Sequence, residues 1–155
     1  AAVRFSDNVL LVRSMTKEHA LPGLRIGYAI GSSERIAALA ELRPSWMVSA
    51  PAEAAIVAAC TEADHVARAR EFLLQAKREL ERSLHGMGLA TVPSETHYLL
   101  VRVGDGDRLR EHLLARQRIS IRSGRSFGLP AHVRIAACAE PQRARLIGAL
   151  REALR

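Results

Sequence analysis

The sequence predicts an α/β chain that ends in a smaller α+β unit. Short apolar runs at residues 9–12 and 25–30 flank a polar connection that contains proline and glycine. An amphipathic pattern with a helical repeat covers residues 66–87, and strand-like and helix-like stretches alternate after it. This mixture is typical of folds in which helices pack on a sheet.

The first part of the chain carries two predicted strands and two predicted helices. Residues 9–12 (VLLV) and 25–30 (RIGYAI) are apolar enough to predict short buried strands. A helix capped by serine is expected next, and Pro44 should end it. Residues 44–60 begin without a regular pattern and become an alanine-rich helix after Pro51, because proline suits the first turn of a helix.

The second part predicts a long helix followed by short alternating elements. The long helix places its apolar residues on one face, which we expect to pack on a core: Val66, Ala69, Leu73, Ala76, Leu80 and Met87. The later elements are expected in the order strand, helix, strand, strand, helix, at residues 97–103, 107–117, 119–122, 133–138 and 141–154. This order predicts a small α+β unit packed behind the long helix.

Composition narrows the function classes. The net charge is +7, but lysine and arginine are scattered and only 4% of residues are aromatic, so nucleic-acid binding is not expected. Some of the arginines could instead line a pocket for an anionic ligand.

No apolar stretch or signal-like N-terminus predicts a membrane or secreted protein, so we expect a cytoplasmic one. Cys60 and Cys138 lack metal-ligand spacing; no metal site is expected, and both should be small buried core residues.

Residues 14–28 (SMTKEHALPGLRIGY) are the segment with the clearest chemical content. Lys17 follows a predicted strand, so it can lie at the rim of a sheet, where burial and nearby cations would favour a neutral amine that forms imines. Ser14 and Arg25 can converge beside it as a hydroxyl and a bidentate cation for a phosphate. By spacing alone, a solvated lysine and a surface arginine remain open alternatives.

This segment resembles the signature of the fold-type I pyridoxal-phosphate (PLP) aminotransferases of class I/II, in which Ser-x-Ser/Thr-Lys precedes Gly-Leu/Ile-Arg-Ile/Leu-Gly-Tyr. The resemblance implies that Lys17 is the Schiff-base lysine, which holds PLP and moves protons as general base and acid. It implies that Ser14 and Arg25 bind the cofactor phosphate, with Thr16 as a further contributor. PLP itself would act as the electron sink.

A second set of matches lies near the C-terminus. Val133-Arg134-Ile135 resembles the small-domain strand whose arginine pairs with the substrate α-carboxylate, which makes Arg134 the expected substrate residue. Arg122 resembles the arginine of the histidinol-phosphate aminotransferase branch that helps to bind the distal phosphate of the substrate. Residues 126–130 and 44–49 are similar to that branch and to the threonine-phosphate decarboxylases of cobalamin biosynthesis.

Two positions depart from the branch. His97-Tyr98 stands where Asn-Phe is frequent, and Ser123 stands where an aspartate often follows the Arg122 position. These departures leave the substrate open. His97 is expected to be a hydrogen-bonded structural histidine.

The resemblance implies the C-terminal portion of the aspartate aminotransferase-like fold. Residues 1–50 would end the large PLP-binding domain and carry the lysine loop, residues 51–88 would form docking and connecting helices, and residues 89–155 would form the small α+β domain. Family members are longer, so we expect the N-terminal half to come from the same or a companion chain, and the isolated chain to be inactive. The complete enzyme is expected to be a homodimer.

The expected reaction moves an amino group between an amino acid or amino-alcohol phosphate and a 2-oxo acid. Threonine-phosphate decarboxylation is an alternative that uses the same lysine, because bond choice depends on substrate geometry. A catalytically inactive binding or assembly module is an alternative from another class.

Overall fold

The computed structural model describes residues 8–62 and 64–155. The chain divides into two units, residues 1–69 and 70–155. The described strands are β1 (Leu11–Ser14), β2 (Gly27–Ile30), β3 (Thr91–Val92), β4 (Tyr98–Arg102), β5 (Arg122–Ser123) and β6 (His132–Ala136). The described helices are α1 (Met15–Glu18), α2 (Ser33–Glu41), α3 (Ala50–Thr61), α4 (His65–His85), α5 (Gly106–Gln117) and α6 (Gln142–Ala153).

The first unit contains an antiparallel pair of strands, β1 and β2, in a register that runs from Leu11 opposite Ile30 to Ser14 opposite Gly27. Both strands are exposed, so the predicted burial is wrong for this structure. The physical reason is that a two-stranded ribbon buries little apolar surface by itself. Gly27 permits the close approach of the strands, because a Cβ there would clash with the carbonyl oxygen of Arg13.

The connection between β1 and β2 is more ordered than the sequence predicts. Instead of a plain loop it contains α1 and a 3-10 turn, Pro22–Leu24. A small apolar cluster fixes these turns on α3: Met15, Ile26 and Ala52 are buried, and Leu24 and Ile56 pack against them. The short helix that carries Lys17 is therefore held through Met15 by side chains that follow it in the sequence.

The second unit is a four-stranded antiparallel sheet in the order β3-β4-β6-β5, with α4, α5 and α6 supplying the other side of its core. This confirms the predicted α+β unit. The fully buried side chains of that core include Leu80, Leu84, Leu99, Val101, Leu113, Val133 and Leu150. Two predictions were inaccurate. The strand expected at residues 119–122 is only the two-residue strand β5, and the sequence does not predict β3.

Side chains of this sheet alternate between its two faces, as in any strand. Leu99, Val101, Val133 and Ile135 are buried in the core. Their neighbours along the strands, Tyr98 and Arg134 among them, therefore point to the opposite face. Arg122 of β5 lies directly opposite Arg134 of β6 and shares that face. The sheet thus separates an apolar core from a face that carries two of the predicted functional arginines.

Two expectations from composition can be compared with the structure. Cys60 is exposed, so its predicted burial is wrong, whereas Cys138 is half-buried and packs against the core. Burial raises the pKa of the Cys138 thiol. Among the residues that the structure describes, no helix is both long and apolar enough to cross a membrane.

An ion pair between α4 and α6 should make the second unit sensitive to acid. Arg143 contacts Glu79 and lies 2.9 Å from Glu140. Its hydrogen bond to Glu79 lowers the pKa of that carboxyl below the ordinary value of 4.5. Because the folded pKa is depressed, the stabilisation is present above the pKa of the unfolded carboxyl and is lost as pH falls through the folded value.

We expect Glu79→Gln to flatten this acid dependence of stability, measured by urea unfolding at a series of acidic pH values. Glu152→Gln is the matched control, since Glu152 is exposed and hydrogen-bonds the neutral Gln117. If Glu79→Gln followed the wild-type pH profile, the ion pair would contribute nothing to the acid response.

Candidate active site

Lys17 lies in α1, immediately after the strand β1. Its Nζ donates a hydrogen bond of 3.1 Å to Oγ1 of Thr16, and this oxygen lies 2.8 Å from Oγ of Ser14. Thr16 is buried, whereas Lys17 is exposed, so the expected burial of the lysine is wrong for this structure. The result is a continuous chain of two hydroxyls and one amine at the end of a strand.

The backbone explains why these three side chains meet. The Met15 N–H donates to the carbonyl of Ile26 at 3.3 Å, which ties the start of α1 to the residue before β2. The Leu21 N–H donates to the carbonyl of Thr16 at 3.0 Å and closes the turn from the other side. Backbone hydrogen bonds therefore tie both ends of the turn that carries Thr16 and Lys17.

Arg25 is placed differently from the other predicted cofactor residues. It precedes β2 by two positions and adopts a left-handed backbone with φ of 52°, which is uncommon for a residue with a side chain. Its guanidinium donates to the carbonyl of Pro22 at 3.2 Å. Within residues 8–62 and 64–155, no hydrogen bond joins Arg25 to Ser14, Thr16 or Lys17, so hydrogen bonds connect the side chains of three of the four predicted residues.

Sequence reasoning missed two contacts beside the lysine. The imidazole of His19 stacks on that of His65, with ring centroids 5.2 Å apart and an angle of 16° between the planes. Arg13 forms an ion pair with Glu18 across α1. His65 is far from His19 in the sequence, so no local pattern could have indicated this stack. Both contacts flank Lys17 and further restrict α1.

In the second unit, Arg122 and Arg134 face each other across β5 and β6. The Arg122 guanidinium lies 4.6 Å from the centre of the Phe127 ring. That of Arg134 lies 4.9 Å from the ring of Tyr98 and 5.9 Å from that of Phe127. Neither arginine forms an ion pair with a described carboxylate, so both charges are available to an anion.

A cavity of about 470 Å³ lies beside this pair of strands. Its charged lining residues are all arginines: Arg118, Arg122, Arg134 and Arg145. The remainder of the lining is apolar or neutral, including Ile121 and Gln142. A concave surface with one sign of charge attracts ligands of the opposite sign, so this cavity suits an anionic molecule. Sequence reasoning had selected two of the four arginines; Arg118 and Arg145 are brought there by the fold.

His97 does not join the arginines through a hydrogen bond. Its ring makes an edge contact with Tyr98, with centroids 5.5 Å apart, and its carbonyl accepts from the Ala137 N–H at 2.7 Å. His97 is exposed, and the hydrogen bond is made by its backbone, so its structural role stays a prediction.

Comparisons with known proteins identify the family that this chain matches. The family model described as aminotransferase class I and II matches residues 1–150. A histidinol-phosphate aminotransferase of Akkermansia muciniphila is 34% identical over 152 residues, which is 98% of this chain and 42% of that protein. The chain therefore spans less than half the length of this curated relative.

Two solved structures are similar over nearly the whole chain. Histidinol-phosphate aminotransferase from Sinorhizobium meliloti in complex with pyridoxal-5'-phosphate is 25% identical, with a TM-score of 0.87 over 96% of this chain and 42% of that one. L-threonine-O-3-phosphate decarboxylase from Porphyromonas gingivalis is also 25% identical, with a TM-score of 0.85 over 96% of this chain and 47% of that one. These likenesses confirm the aspartate aminotransferase-like fold expected from the lysine segment.

Proposed function

Because the chain belongs to the family of class I and II aminotransferases, we propose that it acts as part of a pyridoxal-phosphate-dependent aminotransferase. The reaction would move an amino group between an amino acid or amino-alcohol phosphate and a 2-oxo acid. The observation that carries this proposal is the exposed Lys17, whose amine donates to the hydroxyl of Thr16, which in turn is hydrogen-bonded to the hydroxyl of Ser14.

The composition of the chain strengthens the case for Lys17. The sequence contains 21 arginines and only two lysines, Lys17 and Lys77. Lys77 is 8% exposed and its ammonium donates to the carbonyl of Ser94, which is a structural role. A surface that needed only positive charge could use arginine here as elsewhere, but a guanidinium stays protonated and does not form imines. Lys17 is therefore the lysine suited to covalent chemistry.

The residues around Lys17 fit pyridoxal phosphate. The hydroxyls of Ser14 and Thr16 can donate to phosphate oxygens. The guanidinium of Arg25 can pair with the same phosphate once its hydrogen bond to the Pro22 carbonyl is broken. Bound pyridoxal phosphate would supply the electron sink of the reaction. Lys17 would hold the cofactor covalently through Nζ, with loss of water, and the substrate amine would displace it. The freed Nζ would then carry a proton as base and as acid.

We assign recognition of the two anionic groups of the substrate to arginines of the second unit. Arg134 would pair with the substrate carboxylate and Arg122 with a distal phosphate, since a planar guanidinium binds either group through two parallel hydrogen bonds. Both arginines lack a described ion-pair partner and line the same cavity, which supports the assignment. The small-molecule partners would be an amino donor and a 2-oxo acid, and we propose a cytoplasmic homodimer for the complete enzyme.

A second candidate is a decarboxylase of threonine phosphate. The likeness to the Porphyromonas gingivalis decarboxylase, with a TM-score of 0.85, favours it specifically. The same residues would bind cofactor and substrate, and only the bond broken at the α-carbon would differ. Incubation of the complete enzyme with O-phospho-L-threonine separates the two, because decarboxylation releases carbon dioxide and transamination does not.

The proposal is tested by trapping the cofactor on the chain. After incubation with pyridoxal phosphate and reduction with borohydride, peptide mapping should locate the adduct on Lys17. The matched reagent is 5′-deoxypyridoxal, which lacks the phosphate and has no 5′-hydroxyl to close onto its aldehyde; we expect it to need a higher concentration because it cannot use the Ser14 and Thr16 hydroxyls. Equal labelling by the two reagents would mean that Lys17 reacts merely as an exposed amine, and the cofactor assignment would fail.

A further inference from the structure

Phe127 lies beneath both of the arginines assigned to the substrate. Its ring is 4.6 Å from the guanidinium carbon of Arg122 and 5.9 Å from that of Arg134. We propose that Phe127 is a positioning residue that holds the two guanidinium groups ready for an anionic substrate, with Tyr98 as a second support for Arg134. This inference rests on the proposed function, because it assumes that the two arginines bind substrate.

The two arginines need such a support. Like charges directly opposite each other on neighbouring strands repel, and Arg122 and Arg134 are register partners in β5 and β6. Arginine side chains are also long and lose rotamer freedom when they bind a ligand. Without a partner, each guanidinium would sample many conformations in solvent and would lose that freedom each time a ligand bound. A group already held in place binds with a smaller entropic cost.

An aromatic ring is the support that leaves the hydrogen-bond donors free. A guanidinium is attracted to the negative face of a ring through its charge, so the attraction does not consume its N–H groups. A carboxylate would also hold an arginine, as Glu79 and Glu140 hold Arg143, but it would occupy the donors that must reach the substrate. Arg122 gives one long bond of 3.4 Å to Ser126, and its other donors are uncommitted to described residues.

Phe127 is itself held by a compact turn. It ends the 3-10 turn Arg125–Phe127, and its N–H donates to the carbonyl of Gly124 at 2.9 Å. Arg125 forms an ion pair with Asp107 of α5, which ties the turn to the rest of the unit. Gly124 must be a glycine, because a Cβ there would clash with the carbonyl of Leu129. Phe127 is 47% exposed and is not part of the buried core, so the turn does not hold it there for core packing.

The test compares Phe127→Leu with Phe127→Trp in the full chain, with O-phospho-L-threonine as the probe. Leucine keeps an apolar side chain without a ring face, and we expect it to weaken binding roughly two- to fivefold, the effect of one exposed cation–π contact. Tryptophan retains a ring face and should keep the wild-type affinity. Phe72→Leu is the matched control, since Phe72 is 58% exposed on α4 and should leave affinity unchanged. Binding is followed by NMR titration of the side-chain Nε–Hε signals of Arg122 and Arg134.

The unliganded chain provides an independent readout. The ring current of Phe127 should shift the Nε–Hε signal of Arg122, and this shift should disappear in Phe127→Leu and persist in Phe72→Leu. The signal of Arg134 should move less in Phe127→Leu, because the ring of Tyr98 stays 4.9 Å away. If the wild type bound the probe and Phe127→Leu bound it equally well, the inference about Phe127 would be overturned. The same would follow if Phe127→Trp weakened binding as much as Phe127→Leu. Neither result would affect the proposed function. If the wild-type chain did not bind the probe, the substrate assignment of the two arginines would fail, and the inference with it, whereas labelling of Lys17 would still test the cofactor assignment separately.

Discussion

Replacing Lys17 with alanine is expected to abolish side-chain attachment of pyridoxal phosphate to this chain. The other lysine, Lys77, is 8% exposed and its ammonium is bonded to the carbonyl of Ser94, so it offers no accessible amine. Lys17→Arg should show the same loss although it keeps the positive charge, because a guanidinium does not form imines. The measurement is the intact mass of the chain after borohydride reduction, followed by peptide mapping.

Lys77→Arg serves as the control for this result. It retains a donor toward Ser94 and removes the second lysine, so labelling at Lys17 should equal that of the wild type. Labelling of a side chain that persisted in Lys17→Ala would contradict the assignment. Equal loss in Lys77→Arg would show that the reactive amine had been misidentified.

Replacing Arg134 with alanine is expected to weaken binding of O-phospho-L-threonine by about 10- to 100-fold. This factor corresponds to the net loss of a single hydrogen bond to a charged group, about 1.5–3 kcal/mol, and is therefore the smallest loss expected when the guanidinium beside the rings of Tyr98 and Phe127 is removed. Arg134→Lys should give an intermediate loss, because an ammonium keeps the charge but lacks the planar pair of donors. Calorimetric titration of the full chain measures both variants.

Arg108→Ala is the matched control for net charge. Arg108 is exposed on α5 and does not line the arginine cavity. Its removal therefore tests the effect of the protein's net charge on affinity, without removing a direct contact to the substrate. We expect a change in affinity that disappears at high salt, where exposed charges are screened. If Arg134→Ala and Arg108→Ala weakened binding equally, Arg134 would contribute only charge, and its assignment to the substrate carboxylate would be wrong.

Most helices and strands of the second unit could be predicted because their patterns are local. The helix expected at residues 107–117 is α5, and the helix expected at 141–154 is α6, each within one residue at either end. The prediction of a strand at residues 119–122 was inaccurate. The alternating apolar pattern of this segment is typical of an edge strand, but only Arg122 and Ser123 pair with β6. Pairing depends on a neighbour that is distant in the sequence, and no local pattern encodes it.

Burial was the least predictable property of the first unit. The apolar residues of β1 and β2 predict a sheet interior, yet the two strands form an exposed ribbon. Hydropathy indicates which side chains favour burial, but burial itself requires a second layer. Cys60 illustrates the same limit: its alanine-rich surroundings suggest a core, whereas α3 buries only Ala52.

The sequence alone determined which residues are proposed as the chemical centre, because residues 14–28 carry the family resemblance. Ser14, Thr16 and Lys17 are also close enough along the chain for a single turn to join their side chains. Only the tertiary structure decided how the arginines are arranged. The register of β5 and β6 sets Arg122 opposite Arg134, and the turn after Gly124 brings Phe127 beneath both. Such contacts arise from strand pairing and turn geometry, which depend on the free energy of the whole unit rather than on the spacing of residues.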